Sequence, residues 1–173
     1  RVLASLPYVL EKIPNAVYLV VGGGTDERVN AVLRKHPELA NSVIFAGPAS
    51  NEERVDYYNL GDVYVLPTKF EGFGIVFIES LACGVPVIAS DAYGCREGLL
   101  GGELGLLVPP DDLKAIAGAI VSILERGASA SLFDREHLRR KTLEVYGIDT
   151  WDKRVKSLVE QLCVPAMLDR KVI

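Results

Sequence analysis

The chain has little of what would make it a disulfide scaffold, a metal site, a membrane span or a nucleic-acid binder. Its 173 residues include only three cysteines, Cys83, Cys95 and Cys163, odd in number and without CxxC spacing, so neither a disulfide framework nor a zinc site is indicated. With no signal-peptide pattern either, a reducing cytoplasm is the expected setting. Apolar runs such as 75–78 and 85–89 are a few residues long, against the roughly 20 needed to cross a bilayer, so no membrane span is encoded. Positive charge is not in excess: 19 Lys and Arg stand against 23 Asp and Glu, a net charge of −4, and no basic run would follow a phosphate backbone. The glycines at 22–24 are followed by Glu27 where a G-x-G-x-x-G fingerprint needs its third glycine, which excludes a nicotinamide dehydrogenase. What remains, with 49% apolar and 24% charged residues, is one ordinary globular domain.

Apolar periodicity then orders the chain. Val2, Leu3, Leu6, Val9, Leu10 and Ile13 recur at helical spacing, so the sequence opens inside an amphipathic helix. Residues 17–21 form a β-branched run ending in three glycines, and Thr25 and Asp26 supply an N-cap and a first-turn acid for a helix to about Lys35. The alternation repeats with strands at 43–45, 63–66, 85–89 and, more weakly, 106–108, and with helices capped near Ser50 or Asn51 and running over about 75–83. Continuously apolar strands are those buried on both faces, as in a parallel sheet covered by helices. The expectation is an α/β fold with an open, doubly wound parallel sheet. From Pro109-Pro110 onward only helices are indicated, at about 111–125, 135–146 and 150–162, with a linker at 127–131 and a patternless tail over 163–173.

The chemistry concentrates in Pro67-Thr68-Lys69-Phe70-Glu71-Gly72-Phe73-Gly74, which follows a strand and opens a helix, at the strand carboxyl ends where open α/β sheets bind ligands. Gly72 and Gly74 allow close approach of backbone to ligand. The N–H groups of Phe73, Gly74 and Ile75, backed by the helix dipole, form a ready phosphate site. Glu71 and Glu79 lie about two turns apart, roughly 12 Å along a helix axis, so they cannot share one atom. They suit a ligand with a polyol at each end and phosphate between, such as a nucleotide sugar. Equally, a first-turn glutamate stabilises a helix without further function, and glycines after a strand are often only a turn.

Residues 71–91, EGFGIVFIESLACGVPVIASD, resemble the signature block of the group 1 glycosyltransferases (family four), a retaining family with the two-domain GT-B fold, in which two glutamates separated by seven residues are the defining motif. Segments 20–24, 43–47, 57–67 and 105–110 and the Trp151 helix follow in the family's order, so the resemblance runs from about 2 to 162. It implies that residues 1–162 are the Rossmann-like C-terminal half of such an enzyme, the domain that binds a nucleotide sugar donor. Glu79 would then accept the ribose hydroxyls, and Glu71, as catalytic residue, would face the transferred sugar. Gly72, Phe73 and Gly74, with the Ile75 N–H, would hold sugar and distal phosphate. Gly47 and Pro48 would border the base, and Gly24 the diphosphate. No cofactor and no metal are implied, in keeping with the absence of Asp-x-Asp. The partner would be an N-terminal acceptor domain of the same enzyme, with peripheral membrane contact through that half.

The resemblance is incomplete. Where the family has two glycines and then Pro-Glu, this chain has Tyr93-Gly94 and Arg96-Glu97. The family's diphosphate-binding Arg and Lys, its acceptor half with a catalytic histidine, and a central strand preceding the first helix have no counterpart in residues 1–173. His36 and His137 are expected to be surface residues, Cys83 a small buried one, and Cys95 the more reactive thiol. Lys69 and Arg96 are expected to be solvated charges or rim contacts to phosphate. The sheet should then lack one interior strand, to be filled by residues outside this numbering, by the tail with Val172-Ile173 or by another chain. The implied activity is hexosyl transfer to a hydroxyl acceptor with retention, absent from the isolated chain; the alternative is a non-catalytic nucleotide-sugar-binding or assembly module.

Overall fold

The computed structural model describes residues 1–23 and 27–168, with backbone alone at 93 and 163–168. Thr25, Asp26 and Gly24 of the second helix's approach, and Val172-Ile173, lie outside the described residues. The elements run α1 (Val2–Leu10), β1 (Tyr18–Val21), α2 (Glu27–Lys35), β2 (Val43–Gly47), α3 (Asn51–Leu60), β3 (Tyr64–Leu66), α4 (Ile75–Ala82), β4 (Val87–Ser90), α5 (Tyr93–Gly98), β5 (Gly105–Val108), α6 (Leu113–Leu124), α7 (Arg135–Tyr146) and α8 (Ile148–Leu168). The α/β expectation holds, and every strand pair is parallel.

The strands form two sheets, β1-β2 and β3-β4-β5. Each crossover is helical, as parallel neighbours require. In the second sheet Tyr64, Val65 and Leu66 pair with Val87, Ile88 and Ala89, and these with Gly105, Leu106 and Leu107. One edge of β1 and one edge of β3 carry no strand partner among the described residues. A cavity of about 340 Å³ lies between them, lined by Tyr18, Val20, Phe45, Leu66 and the start of α1. The break in the sheet therefore falls between β1 and β3.

Burial follows position in the sheet. The central strand β4 is buried at all four residues, which is why its sequence is apolar without alternation. That rule fails for β2, where Ile44 and Phe45 are 52% and 41% exposed. Consecutive residues point to opposite faces, so β2, which pairs with β1 alone, is incompletely covered on both. The main core joins α1 to α6 through Val2, Leu6 and Val9 against Ile116, Ala117 and Ile120, and continues under α4 with Phe77 and Leu81.

Local chemistry sets the helix starts. Ser50 and Glu53 close a capping box on α3: Glu53 N–H donates to Ser50 Oγ at 3.2 Å and Ser50 N–H to Glu53 Oε2 at 2.8 Å. Asp112, not Asp111, caps α6 by accepting from Lys114 and Ala115 N–H. Asp111 instead pairs with Arg1 and Lys69. Two boundaries differ from sequence reading. The tail expected from residue 163 is helical to Leu168, although Pro165 within it has no N–H to donate. The segment after Asp91 contains the short helix α5, which its glycines concealed.

Candidate functional site

The loop from Pro67 to Gly74 joins the carboxyl end of β3 to α4, and its geometry is set by two glycines and one aromatic ring. Gly74 is the N-cap of α4 with φ +81°, and a Cβ there would stand 2.1 Å from Phe77 Cδ2. Left-handed backbone and ring contact together admit only glycine. Phe77 is fully buried beneath it and meets Tyr64 edge-on, ring centroids 6.4 Å apart.

Glu71 folds back over this turn, its Oε1 accepting the Gly74 N–H at 3.2 Å. Of the three N–H groups expected to face a ligand, Gly74's is thus already satisfied by the loop itself. That of Ile75 precedes the first intrahelical bond and has no acceptor within the helix. Glu79, on the second turn, is one-third exposed. Its Oε2 accepts the Tyr58 hydroxyl at 2.9 Å, and Arg54 Nη1 lies 3.5 Å from Oε1. Burial and the bond to Glu79 push the Tyr58 pKa up, and burial pushes Tyr64 up to about 12, so both phenols stay protonated donors.

The underside of the loop is α5. A Cβ on Gly94 would stand 2.1 Å from the Gly72 carbonyl oxygen and 2.6 Å from that of Glu71, and one on Gly98 would stand 2.6 Å from the Phe73 oxygen. The helix lies backbone to backbone against the loop. Its far end is tied by the Tyr146 hydroxyl, which donates to the Glu97 carbonyl at 2.6 Å, while the Tyr146 ring meets Phe73 edge-on at 5.5 Å. Gly94→Ala is expected to destabilise by about 1–3 kcal/mol, as overpacking does, and to displace the 71–72 backbone. Denaturant unfolding reads the first effect; a midpoint unchanged from the unsubstituted chain would show that α5 yields freely.

The other end of α4 is pinned by α7: Arg139 Nη1 and Arg135 Nη2 donate to the Ala82 and Cys83 carbonyls at 2.6 and 3.1 Å. Cations on the last carbonyls complement the helix dipole and hold α4 along its axis. Gly47, in the left-handed region at φ +80°, ends β2, and its carbonyl accepts the Gly22 N–H at 2.8 Å, joining the β1 and β2 loops. Pro48 follows at the surface. Gly24 lies outside the described residues.

Several secondary expectations change. Cys95, expected to be the more reactive thiol, is the buried one; Cys83, expected buried, is half-exposed. Burial raises both thiols, so neither is activated. Lys69 and Arg96 are, as expected, solvated charges, in surface ion pairs with Asp111 and Asp91. No group of three or more potential metal ligands occurs among the described residues, and no helix there is long and apolar enough to cross a membrane. Tyr58, Arg54 and Gly94 were missed by sequence reasoning. Tyr58 and Glu79 are 21 positions apart in different elements, and no spacing rule links them.

Residues 1–126 match the family model described as "Glycosyl transferases group 1". A phosphatidyl-myo-inositol mannosyltransferase of Mycolicibacterium smegmatis is 35% identical over 124 residues, which is 71% of this chain and 31% of that protein. Among solved structures, sucrose-phosphate synthase from Thermosynechococcus elongatus superposes with a TM-score of 0.77 at 31% identity, covering 95% of this chain and 43% of the synthase chain. The pneumococcal O-GlcNAc transferase in complex with UDP and GlcNAc shares the fold, with a TM-score of 0.73 at 21% identity over 92% of this chain and 32% of its own. The chain thus spans between about a third and less than half of the length of these proteins.

Proposed function

The chain belongs to the group 1 glycosyl transferases, and we propose that it is the donor-binding domain of a retaining enzyme that moves a sugar from a nucleotide diphosphate sugar to a hydroxyl acceptor. Its fold matches the GT-B glycosyltransferases, and transferase chemistry follows from the family. The observation that carries the finer reading is the placement of two carboxylates on one loop-helix unit at the carboxyl end of β3. Glu71 sits at the turn into α4 and Glu79 on the next turns, already oriented from α3.

In this reading Glu79 accepts the ribose hydroxyls. Gly72 and Phe73 hold the distal phosphate and sugar with the Ile75 N–H, where the α4 N-terminus offers donors and a positive dipole end. Glu71, one oxygen engaged by Gly74 N–H, turns the other toward the transferred sugar, where positive charge develops as the bond from the anomeric carbon to phosphate oxygen breaks. The nucleoside diphosphate leaves with that electron pair, and the acceptor oxygen bonds to the same carbon from the same face, its proton passing to the departing phosphate oxygen. Gly47 and Pro48 border the base, and Gly24 the diphosphate. Neutralisation of the leaving group is assigned to helix and side-chain donors rather than to a metal. The acceptor is supplied by a further domain, which also accounts for any peripheral membrane contact. Free, unactivated thiols at Cys83 and Cys95 fit a reducing compartment such as the cytoplasm.

The test separates the two carboxylates. Calorimetry with a free nucleoside diphosphate, which has no sugar for Glu71 to touch, should show a larger loss for Glu79→Ala than for Glu71→Ala. A hydrogen bond to a charged group contributes about 1.5–3 kcal/mol. Equal losses would overturn the assignment of roles.

A further inference from the structure

Neither oxygen of the Glu79 carboxylate is without a partner in the protein. The Tyr58 hydroxyl donates to Oε2 at 2.9 Å, and the Arg54 guanidinium stands 3.5 Å from Oε1. Both come from α3, which packs beside α4. We propose that Tyr58, assisted by Arg54, is a positioning residue that presets the Glu79 carboxylate for a vicinal diol and so makes the site selective for ribonucleotides over 2′-deoxyribonucleotides. The inference rests on the reading of Glu79 as the ribose acceptor.

The stereochemistry supports it. An ionised carboxylate has about four acceptor positions, two on each oxygen. Tyr58 takes one on Oε2 and Arg54 faces Oε1, which leaves one free position on each oxygen. A vicinal diol presents two hydroxyl donors side by side, the pattern those positions accept. A glutamate on an open helix face would have to give up its rotamer freedom when ligand binds; here the cost is met on folding.

The supports of the two side chains are themselves fixed. Tyr58 packs edge-on against Tyr64 with ring centroids 5.5 Å apart, and Tyr64 packs on Phe77, the residue under Gly74. Arg54 donates from Nη2 to Asn51 Oδ1 at 2.6 Å, in the first turn of α3 beside the Ser50 capping box. The diol acceptor and the loop are thereby referred to one aromatic stack. Burial, with the bond to Glu79, raises the phenol's pKa above its ordinary value, so it remains a donor at neutral pH.

The experiment is ligand-observed saturation-transfer NMR on the full chain, with UDP, GDP and their 2′-deoxy counterparts titrated to millimolar concentration. For the unsubstituted chain the ribo form should bind about tenfold or more tightly than the deoxy form, the effect of one hydrogen bond to a charged group. Tyr58→Phe keeps the ring and its packing; it should cut that preference to within about threefold, and Arg54→Met should shift it in the same direction. In a Glu79→Ala background Tyr58→Phe should have no further effect on the ratio. A merely structural role for Tyr58 would weaken ribo and deoxy ligands alike, and an unchanged ratio in Tyr58→Phe and Arg54→Met overturns the inference while leaving the donor reading standing. Binding by the unsubstituted chain without ribo preference overturns the role of Glu79, and no binding at millimolar ligand overturns the donor reading itself; either result takes this inference with it.

Discussion

Incubated with nucleotide sugars and a panel of sugar and lipid acceptors, the 173-residue chain by itself is expected to bind donor weakly and to transfer no sugar. Transfer requires the acceptor oxygen to be held against the anomeric carbon while the nucleoside diphosphate departs. Positioning of that kind accounts for about 7–11 kcal/mol of barrier lowering in well-oriented systems, or roughly five to eight powers of ten in rate. As a donor domain the chain would supply one wall: the 67–74 loop and α4, open toward solvent at Phe70, which is 92% exposed. Its cations near the loop, Lys69 and Arg96, are paired with Asp111 and Asp91 and so are poorly placed to stabilise a departing diphosphate. The control is the mannosyltransferase of which this chain spans 31%, assayed under the same conditions. Turnover by the isolated chain comparable to that control would show that one wall is enough, and the donor-domain reading would fall.

The second large effect is on stability. Phe77→Ala should cost about 3–5 kcal/mol, the range for removing a fully buried aromatic ring, out of a total of about 5–15 kcal/mol for a domain. Phe77 is fully buried, and its ring is what a Cβ at Gly74 would strike, at 2.1 Å, and what one at Gly98 would meet at 3.5 Å. It thus fills the space a side chain at Gly74 would need, under the turn that carries Glu71, and stands close to α5 at Gly98. Urea unfolding should show a lower midpoint with an unchanged slope, since the native surface exposed on unfolding is nearly the same. A loss below about 1 kcal/mol would mean that the loop and α5 close over the space, and that the ring does not set the height of the loop.

Two sequence features shaped expectations for the fold with unequal success. The apolar run at 85–89 was legible as a strand because burial on both faces leaves no room for polar alternation, and the strand formed covers Val87–Ser90. The same reasoning overestimated β2, since apolar character alone does not distinguish a strand covered by helices from one whose cover is incomplete. Likewise α5 was not legible: Tyr93-Gly94-Cys95 reads as a loop on propensity, and it is helical because its glycines let it lie against carbonyls of the 71–73 loop. The Tyr93-Gly94 and Arg96-Glu97 departure from the family pattern therefore retains the one glycine that the close approach to Gly72 demands.

What the sequence by itself determined is the local and the periodic: a parallel α/β chain, a capped start of α3 near Ser50 or Asn51, and a strand-glycine-helix unit with Glu71 and Glu79 on it. These depend on neighbours within about one or two helical turns, so adjacent residues encode them. Tertiary structure alone decided which groups those carboxylates meet. Glu71 faces its own turn, Glu79 faces Tyr58 and Arg54 from α3, and Gly94 faces the Gly72 carbonyl. Such contacts arise when elements far apart in the chain are packed against a common core, and their distances are fixed by the volumes of Phe77, Tyr64 and the other buried side chains between them.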